Sequence, residues 1–321
     1  MSKEIFISEN ISQKISKFDS IIFDCDGVLV DIRNSYDHAI NKTISAIMKE
    51  LFNDEIGDIV TSKIHFGLKS VGGFNDEVAV VYAIVMTLVA SKKSNIEFEK
   101  LIVDVISNAN ESGINSIDSY FKEKNIDLIE IKSKLDYENS RKVSYIHKIF
   151  NQLFYGPKLY EEVFNEKSQF SEKPLIDLDN IVLDNNLMSK LKTRFGSKVA
   201  TVTGRGKFAF SYSMKNFLDN FDIENSVFLE DRPLELAKPN PDSLIESISG
   251  INSKCSLYIG DSMEDLLMVQ KCQEKGYDVS FCGIYGSSDE PELKYELFEK
   301  NKASFILESI QELPKALNLV W

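Results

Sequence analysis

The chain has 321 residues, enough for two domains that each bury a core, and its 43% hydrophobic and 27% charged content is that of a globular protein. With 37 Lys and Arg against 50 Asp and Glu, the formal net charge is −13. That field repels nucleic acid and anionic membrane, so neither is expected as a partner. Four scattered cysteines (Cys25, Cys255, Cys272 and Cys282) predict reduced thiols rather than a disulfide framework or a zinc site. The polar N-terminal stretch has no apolar segment before a cleavage site, and a cytoplasmic location is expected.

In chain order, the first β-rich run is residues 20–23, and it ends in Asp24-Cys25-Asp26-Gly27-Val28-Leu29. A strand closing on two carboxylates one residue apart sets them near each other at the sheet's edge, and Gly27 permits a sharp turn. Paired carboxylates repel, so a bound cation or a shared proton must offset them. A calcium loop needs an oxygen ligand at its fifth position and glycine at its sixth; Val28 and Leu29 stand there and exclude it.

From residue 33 to about 167 the texture is helical, with apolar residues at helical spacing over 36–52, 76–90, 96–108, 114–121 and 126–154. The apolar run 78–90 is too short to span a bilayer and is expected as a buried helix. Residues 165–180, with Pro174, are the expected return linker. Beyond residue 195, β-rich runs at 198–202, 226–229, 256–259, 279–284 and 303–306 alternate with helical patterns at 207–218, 241–248, 262–275 and 307–317. Such alternation predicts a parallel sheet with crossover helices, whose ligands bind beyond the carboxyl ends of the strands.

Three further motifs fall at such strand ends. In Thr201-Val202-Thr203-Gly204-Arg205-Gly206, Thr203 offers a hydroxyl and Gly204 an amide to an anion, although taken alone the segment reads first as an ordinary strand-to-helix turn capped by Thr203. In Ala237-Lys238-Pro239-Asn240-Pro241, two prolines stiffen the backbone around a lysine suited to neutralise a phosphoryl group, or simply solvated in a loop. In Ile259-Gly260-Asp261-Ser262-Met263-Glu264-Asp265, two carboxylates stand one helical turn apart, and Ser262 with Asp265 also matches a capping box. Together the four motifs supply carboxylates for a hard cation, a hydroxyl and amides for anionic oxygens, and one lysine. That set suits metal-assisted phosphoryl transfer.

The order Asp24-x-Asp26-Gly27-Val28-Leu29, Thr203-Gly204, Lys238-Pro239, Gly260-Asp261-x-x-x-Asp265 resembles the haloacid dehalogenase superfamily, and the helical insertion resembles its type-1 cap, as in phosphoglycolate phosphatase-like members. The resemblance implies an α/β fold: a Rossmann-like three-layer core with a parallel sheet (1–31 and 181–321) and an inserted α-helical cap domain (32–180). It implies an Mg²⁺-dependent phosphatase acting on a small phosphorylated metabolite, as a monomer or homodimer. Asp24 would attack phosphorus to form an aspartyl-phosphate, and Asp26 would protonate the leaving oxygen and then activate water. Thr203, Gly204 and Lys238 would hold phosphoryl oxygens, while Asp24, the Asp26 backbone carbonyl and Asp261 would bind the metal with Asp265 in support.

Specificity is expected from Lys69, Phe74, Asn75 and Asp76, although residues 72–76 also read as a glycine turn and N-cap. Arg33 and Arg205 could reach a distal anionic group, and His38, His65 and His147 have no metal-like spacing. A phosphomutase with the same aspartyl-phosphate chemistry and a non-catalytic binding module are the alternatives. A carbon-attacking dehalogenase needs neither Asp26 nor a metal site at Asp261. Phosphonate cleavage would need an imine-forming lysine, for which Lys69 is one of several candidates.

Overall fold

The computed structural model describes residues 5–74, 76–139 and 143–319. The chain divides into two compact units, Met1–Arg33 with Asp179–Trp321, and Asn34–Leu178. The elements begin with β1 (Phe6–Ile7), α1 (Glu9–Ser12), β2 (Ser20–Phe23) and β3 (Val30–Asp31). Helices α2 (Arg33–Phe52), α3 (Ser62–Lys69), α4 (Glu77–Ser94), α5 (Phe98–Asn108), α6 (Ile114–Glu123), α7 (Ile129–Leu135) and α8 (Tyr145–Phe164) follow. The chain returns through β4 (Asn180–Ile181), α9 (Asn185–Phe195), β5 (Val199–Thr203), α10 (Lys207–Ser213), β6 (Val227–Phe228) and α11 (Asp242–Gly250). It closes with β7 (Ser256–Gly260), α12 (Met263–Glu274), β8 (Val279–Ile284), α13 (Pro291–Lys300), β9 (Phe305–Leu307) and α14 (Leu313–Ala316).

Among the described residues seven strands form one sheet in the order β1-β9-β8-β7-β2-β5-β6. Only β1 runs antiparallel to its neighbour; the other pairs are parallel. Strand β2 pairs Phe23 with Thr201 of β5 on one side and with Ile259 of β7 on the other. This register brings the residues that follow β2, β5 and β7 to one edge.

Side chains alternate across the pleat. Ile21, Phe23, Val199, Leu257 and Ile259 join α9, α10 and α14 in one core, while Ile22, Ala200, Val202 and Tyr258 join α11, α12 and α13 in the other. The unit is therefore a three-layer α/β fold, as expected. Each fully buried Ile or Phe in these layers contributes about 1.5–3 kcal/mol.

Four helices were not among the sequence expectations, the short α1 among them. Helix α9 is capped by Asp184 and buries Leu187, Met188, Leu191 and Phe195; α13 starts at Pro291 and buries Tyr295 and Phe298; α3 is capped by Thr61. The expected 126–154 pattern divides in two, because Asp136 ends α7 in the left-handed region and α8 starts only at Tyr145. In place of a helix over 307–317, Leu307 ends β9 and α14 is a short turn of helix after a 3-10 turn.

In the helical unit, α4 is buried from Glu77 to Ala90 and packs against α3, α5, α6, α7 and α8. Helices on several sides explain why its sequence is apolar all round. Among the described residues no helix is long and apolar enough to cross a membrane.

Candidate functional site

Asp24 follows β2 directly, and its backbone N–H donates to the Ile259 carbonyl (2.8 Å). The chain then turns sharply: the N–H groups of Val28, Leu29 and Val30 all donate to the Cys25 carbonyl, and that of Gly27 to Val30. Gly27 has φ of 72°, and a Cβ built there would run into the Asp261 carboxylate. Only glycine satisfies both demands. Cys25 is buried, and burial raises its thiol well above the ordinary range, so it is an inert core residue.

Lys238 is brought between two carboxylates. Its ammonium, 0% exposed, stands 3.0 Å from Asp24 Oδ1 and 2.7 Å from Asp265 Oδ1. Asp265 Oδ2 accepts from the Asp261 and Ser262 amides (3.1 Å each) and from the Ser262 hydroxyl (2.8 Å), completing a capping box at the start of α12. The Tyr258 hydroxyl lies 2.8 Å from Asp265 Oδ1 and 2.9 Å from the Val202 carbonyl, and shares its proton between them.

Burial disfavours charge at all these groups, and neighbours decide the outcome. Burial pushes the Asp24 carboxyl up to about 7; Lys238 opposes the rise, and the carboxylates of Asp265, Asp261 and Asp26 add to it. For Asp265, burial is outweighed by Lys238, Ser262 and Tyr258, which hold its carboxyl below the usual range. Burial likewise lowers Lys238, but Asp24 and Asp265 keep its ammonium above the ordinary value.

Carboxylate oxygens of Asp24, Asp261 and Asp265 lie within 4.8 Å of one another. This all-oxygen set fits a hard divalent cation. The hydrogen bonds and ion pairs described here engage Asp24 at Oδ1 and Asp261 at Oδ2, where Lys294 of α13 approaches to 2.6 Å. Asp265 uses both oxygens within the protein, so Asp24 and Asp261 are the carboxylates better placed to meet an ion. The Asp26 carboxylate is outside this cluster and pairs with Arg205 (2.6 Å).

Thr203 is buried at the end of β5, its Oγ1 accepting from the Arg205 amide (3.2 Å). Gly204 follows in the same turn. The first amides of α10 are already capped, Gly206 N–H by Glu230 and Lys207 N–H by Asp231 (2.8 Å each). Arg205, expected to reach a distal anion, instead closes its buried guanidinium on Asp26, Asp179 and Ser213.

Arg33 forms a fork onto Asp31 (2.9 and 2.6 Å). In the helical unit Lys69 pairs with Glu77 (2.6 Å), which also meets His65 (3.1 Å). Phe74 is fully buried, and Asp76 caps α4 by accepting from the Val78 amide (2.9 Å). Asn75 lies outside the described residues.

Sequence reasoning missed Tyr258, Asp179 and Lys294. Pro291 at the start of an apolar helical spacing was the available signal for α13 and hence for Lys294. Nothing local marks Asp179, whose partners lie in the turn after β5 and in α10, or the Tyr258 hydroxyl, whose partners lie in β5 and α12.

No protein-family model and no curated protein sequence matches the chain. Among solved structures, a phosphatase from Thermococcus thioreducens superposes with a TM-score of 0.57 at 23% identity, covering 86% of this chain and 98% of that one. A haloacid dehalogenase-like protein of unknown function from Agrobacterium tumefaciens superposes with a TM-score of 0.50 at 14% identity, covering 94% and 98%. The parallel sheet, the inserted helices and these superpositions agree: the chain has the fold of this haloacid dehalogenase-like protein and of the Thermococcus phosphatase.

Proposed function

We propose that this protein is an Mg²⁺-dependent phosphatase that hydrolyses small phosphomonoesters through an aspartyl-phosphate on Asp24. The observation that carries the reading is the buried Lys238 ammonium fixed between Asp24 and Asp265, beside a carboxylate cluster that calls for a cation. A net charge of −13 repels a phosphate ester, so the site needs such local positive charge to admit one.

Asp24 and Asp261, with the Asp26 carbonyl, would hold Mg²⁺, and Asp265 would orient Lys238 and the start of α12. Bound Mg²⁺ supplies charge neutralisation for the phosphoryl oxygens and the crowded carboxylates. Lys238 helps keep Asp24 ionised against its burial and meets the phosphoryl group together with Thr203 and Gly204. The Asp24 carboxylate forms a bond to phosphorus as the bond from phosphorus to the ester oxygen breaks. The departing electron pair goes to that oxygen, which takes a proton from Asp26. Water then attacks the aspartyl-phosphate, gives its proton to Asp26 and releases phosphate, which restores Asp24. In this reading residues 32–180 select the substrate, since the chemistry consumes only the phosphoryl group.

The test is phosphate release from a panel of phosphorylated metabolites with Mg²⁺, with Asp24→Asn as blank. Release by the wild type and none by the folded variant is expected. Equal release by both, or none by the wild type across the panel, overturns the assignment.

A further inference from the structure

We propose that Arg205 is a positioning residue for proton transfer: its buried guanidinium, anchored on Asp179 and Ser213, fixes the Asp26 carboxylate for its exchange with the leaving oxygen. This rests on the phosphatase reading and assigns a role to a residue that the sequence pointed toward substrate.

The arrangement has a fixed end and a working end. At the fixed end, Arg205 Nη1 lies 2.6 Å from Asp179 Oδ2 and 2.8 Å from Ser213 Oγ, and the Ser213 hydroxyl donates to the same Asp179 oxygen (2.8 Å). The Asp179 side chain is 4% exposed, so this end is locked in the protein. At the working end, Nη2 lies 2.6 Å from Asp26 Oδ1, and the Asp26 side chain as a whole is 22% exposed. The guanidinium between them is 0% exposed.

Asp26 needs such a partner. The turn around Cys25 sets its backbone, but hydrogen bonds among backbone groups do not choose the side-chain rotamer. A proton donor acts only within hydrogen-bond reach of its acceptor, so a wandering carboxylate loses rate without losing affinity. Arginine suits this task because its planar fork bridges two carboxylates at a set geometry, whereas lysine offers a single flexible point charge. The Arg205 amide also donates to Thr203 Oγ1, so one short segment would set both the phosphoryl contact and the acid.

The discriminating measurement is the dependence of kcat/KM on the leaving group, in the Mg²⁺-loaded full chain. p-Nitrophenyl phosphate releases a stabilised phenolate that needs no proton, whereas a primary alkyl phosphate releases an alkoxide that does. Arg205→Lys is expected to lower kcat/KM for the alkyl ester about 10- to 100-fold, and that for the aryl ester by less than about 3-fold. Asp179→Asn should shift the ratio in the same sense by a smaller factor. In an Asp26→Asn background, where the donor is gone, neither substitution should change the ratio further. Should Arg205→Lys fail to fold by circular dichroism, Asp179→Asn and Ser213→Ala carry the same comparison. Equal losses on both esters, or losses that persist undiminished in the Asp26→Asn background, would mean a purely structural ion pair and overturn the proposal. A wild type inactive on every ester overturns the phosphatase reading itself, an outcome distinct from an active wild type with an unchanged ratio.

Discussion

The Lys294 ammonium stands 2.6 Å from Oδ2 of Asp261, joining α13 to the turn after β7. A cation arriving at Asp24 and Asp261 therefore meets a carboxylate that already has a positive partner. Even at the dielectric of water, a unit charge about 5 Å from a divalent ion repels it by on the order of 1 kcal/mol. Lys294→Met should tighten Mg²⁺ binding about 3- to 10-fold by isothermal titration calorimetry. Weaker binding in that variant would mean that Lys294 orients Asp261 rather than competing with the ion.

Gly27 joins backbone to site. Its left-handed φ and its closeness to the Asp261 carboxylate leave no room for a side chain. Gly27→Ala should cost about 1–3 kcal/mol in urea unfolding and weaken Mg²⁺ binding, because Asp261 must move. A variant with wild-type stability and metal affinity would contradict this account.

Asp24 carries an unfavourable charge when no cation is present. Its carboxyl titrates at about 7 in the folded chain, chiefly through burial, against about 3.9 when unfolded. A raised carboxyl pKa contributes stability that is complete below the unfolded value and lost as pH rises through the folded one. The chelator-treated wild type should therefore lose thermal stability between about pH 4 and pH 7. Asp24→Asn should flatten that limb while abolishing phosphate release. Parallel melting profiles for the two proteins would refute the assignment.

Glu77 shows the opposite sign in the helical unit. Burial works against its charge, yet Lys69 and His65 hold its carboxyl down to about 2. Its contribution is present above the unfolded value of about 4.3 and is lost as pH falls through the folded one. Glu77→Gln should destabilise the protein at neutral pH, leaving Lys69 without its buried partner. The gap to wild type in urea unfolding should shrink steadily from about pH 4 to pH 2. A gap independent of pH would mean that packing, not the ion pairs, holds Glu77.

The long-range layout was legible where sequence pattern and burial coincide. The runs at 20–23, 256–259 and 279–284 became strands because their residues alternate between two buried faces. The run at 78–90 became part of a buried helix because helices surround it. The two-residue strands β1, β3 and β4 were not legible, since so few residues carry no period. Residues 126–154 looked continuous because the break after Asp136 leaves the apolar spacing undisturbed on either side.

Local sequence determined the chemistry available at each strand end: two carboxylates after β2, a hydroxyl at the end of β5, a lysine followed by two prolines, and Gly-Asp at the end of β7. These residue types constrain their own backbone and announce their own charge. Tertiary structure alone decided the pairings: Lys238 with Asp24 and Asp265, Lys294 with Asp261, and Arg205 with Asp26 rather than with open solvent. The physical reason is that a charged side chain taken out of water must find an opposite charge, and its partner can come from any part of the chain. That choice depends on sheet order and helix packing, which no local spacing encodes.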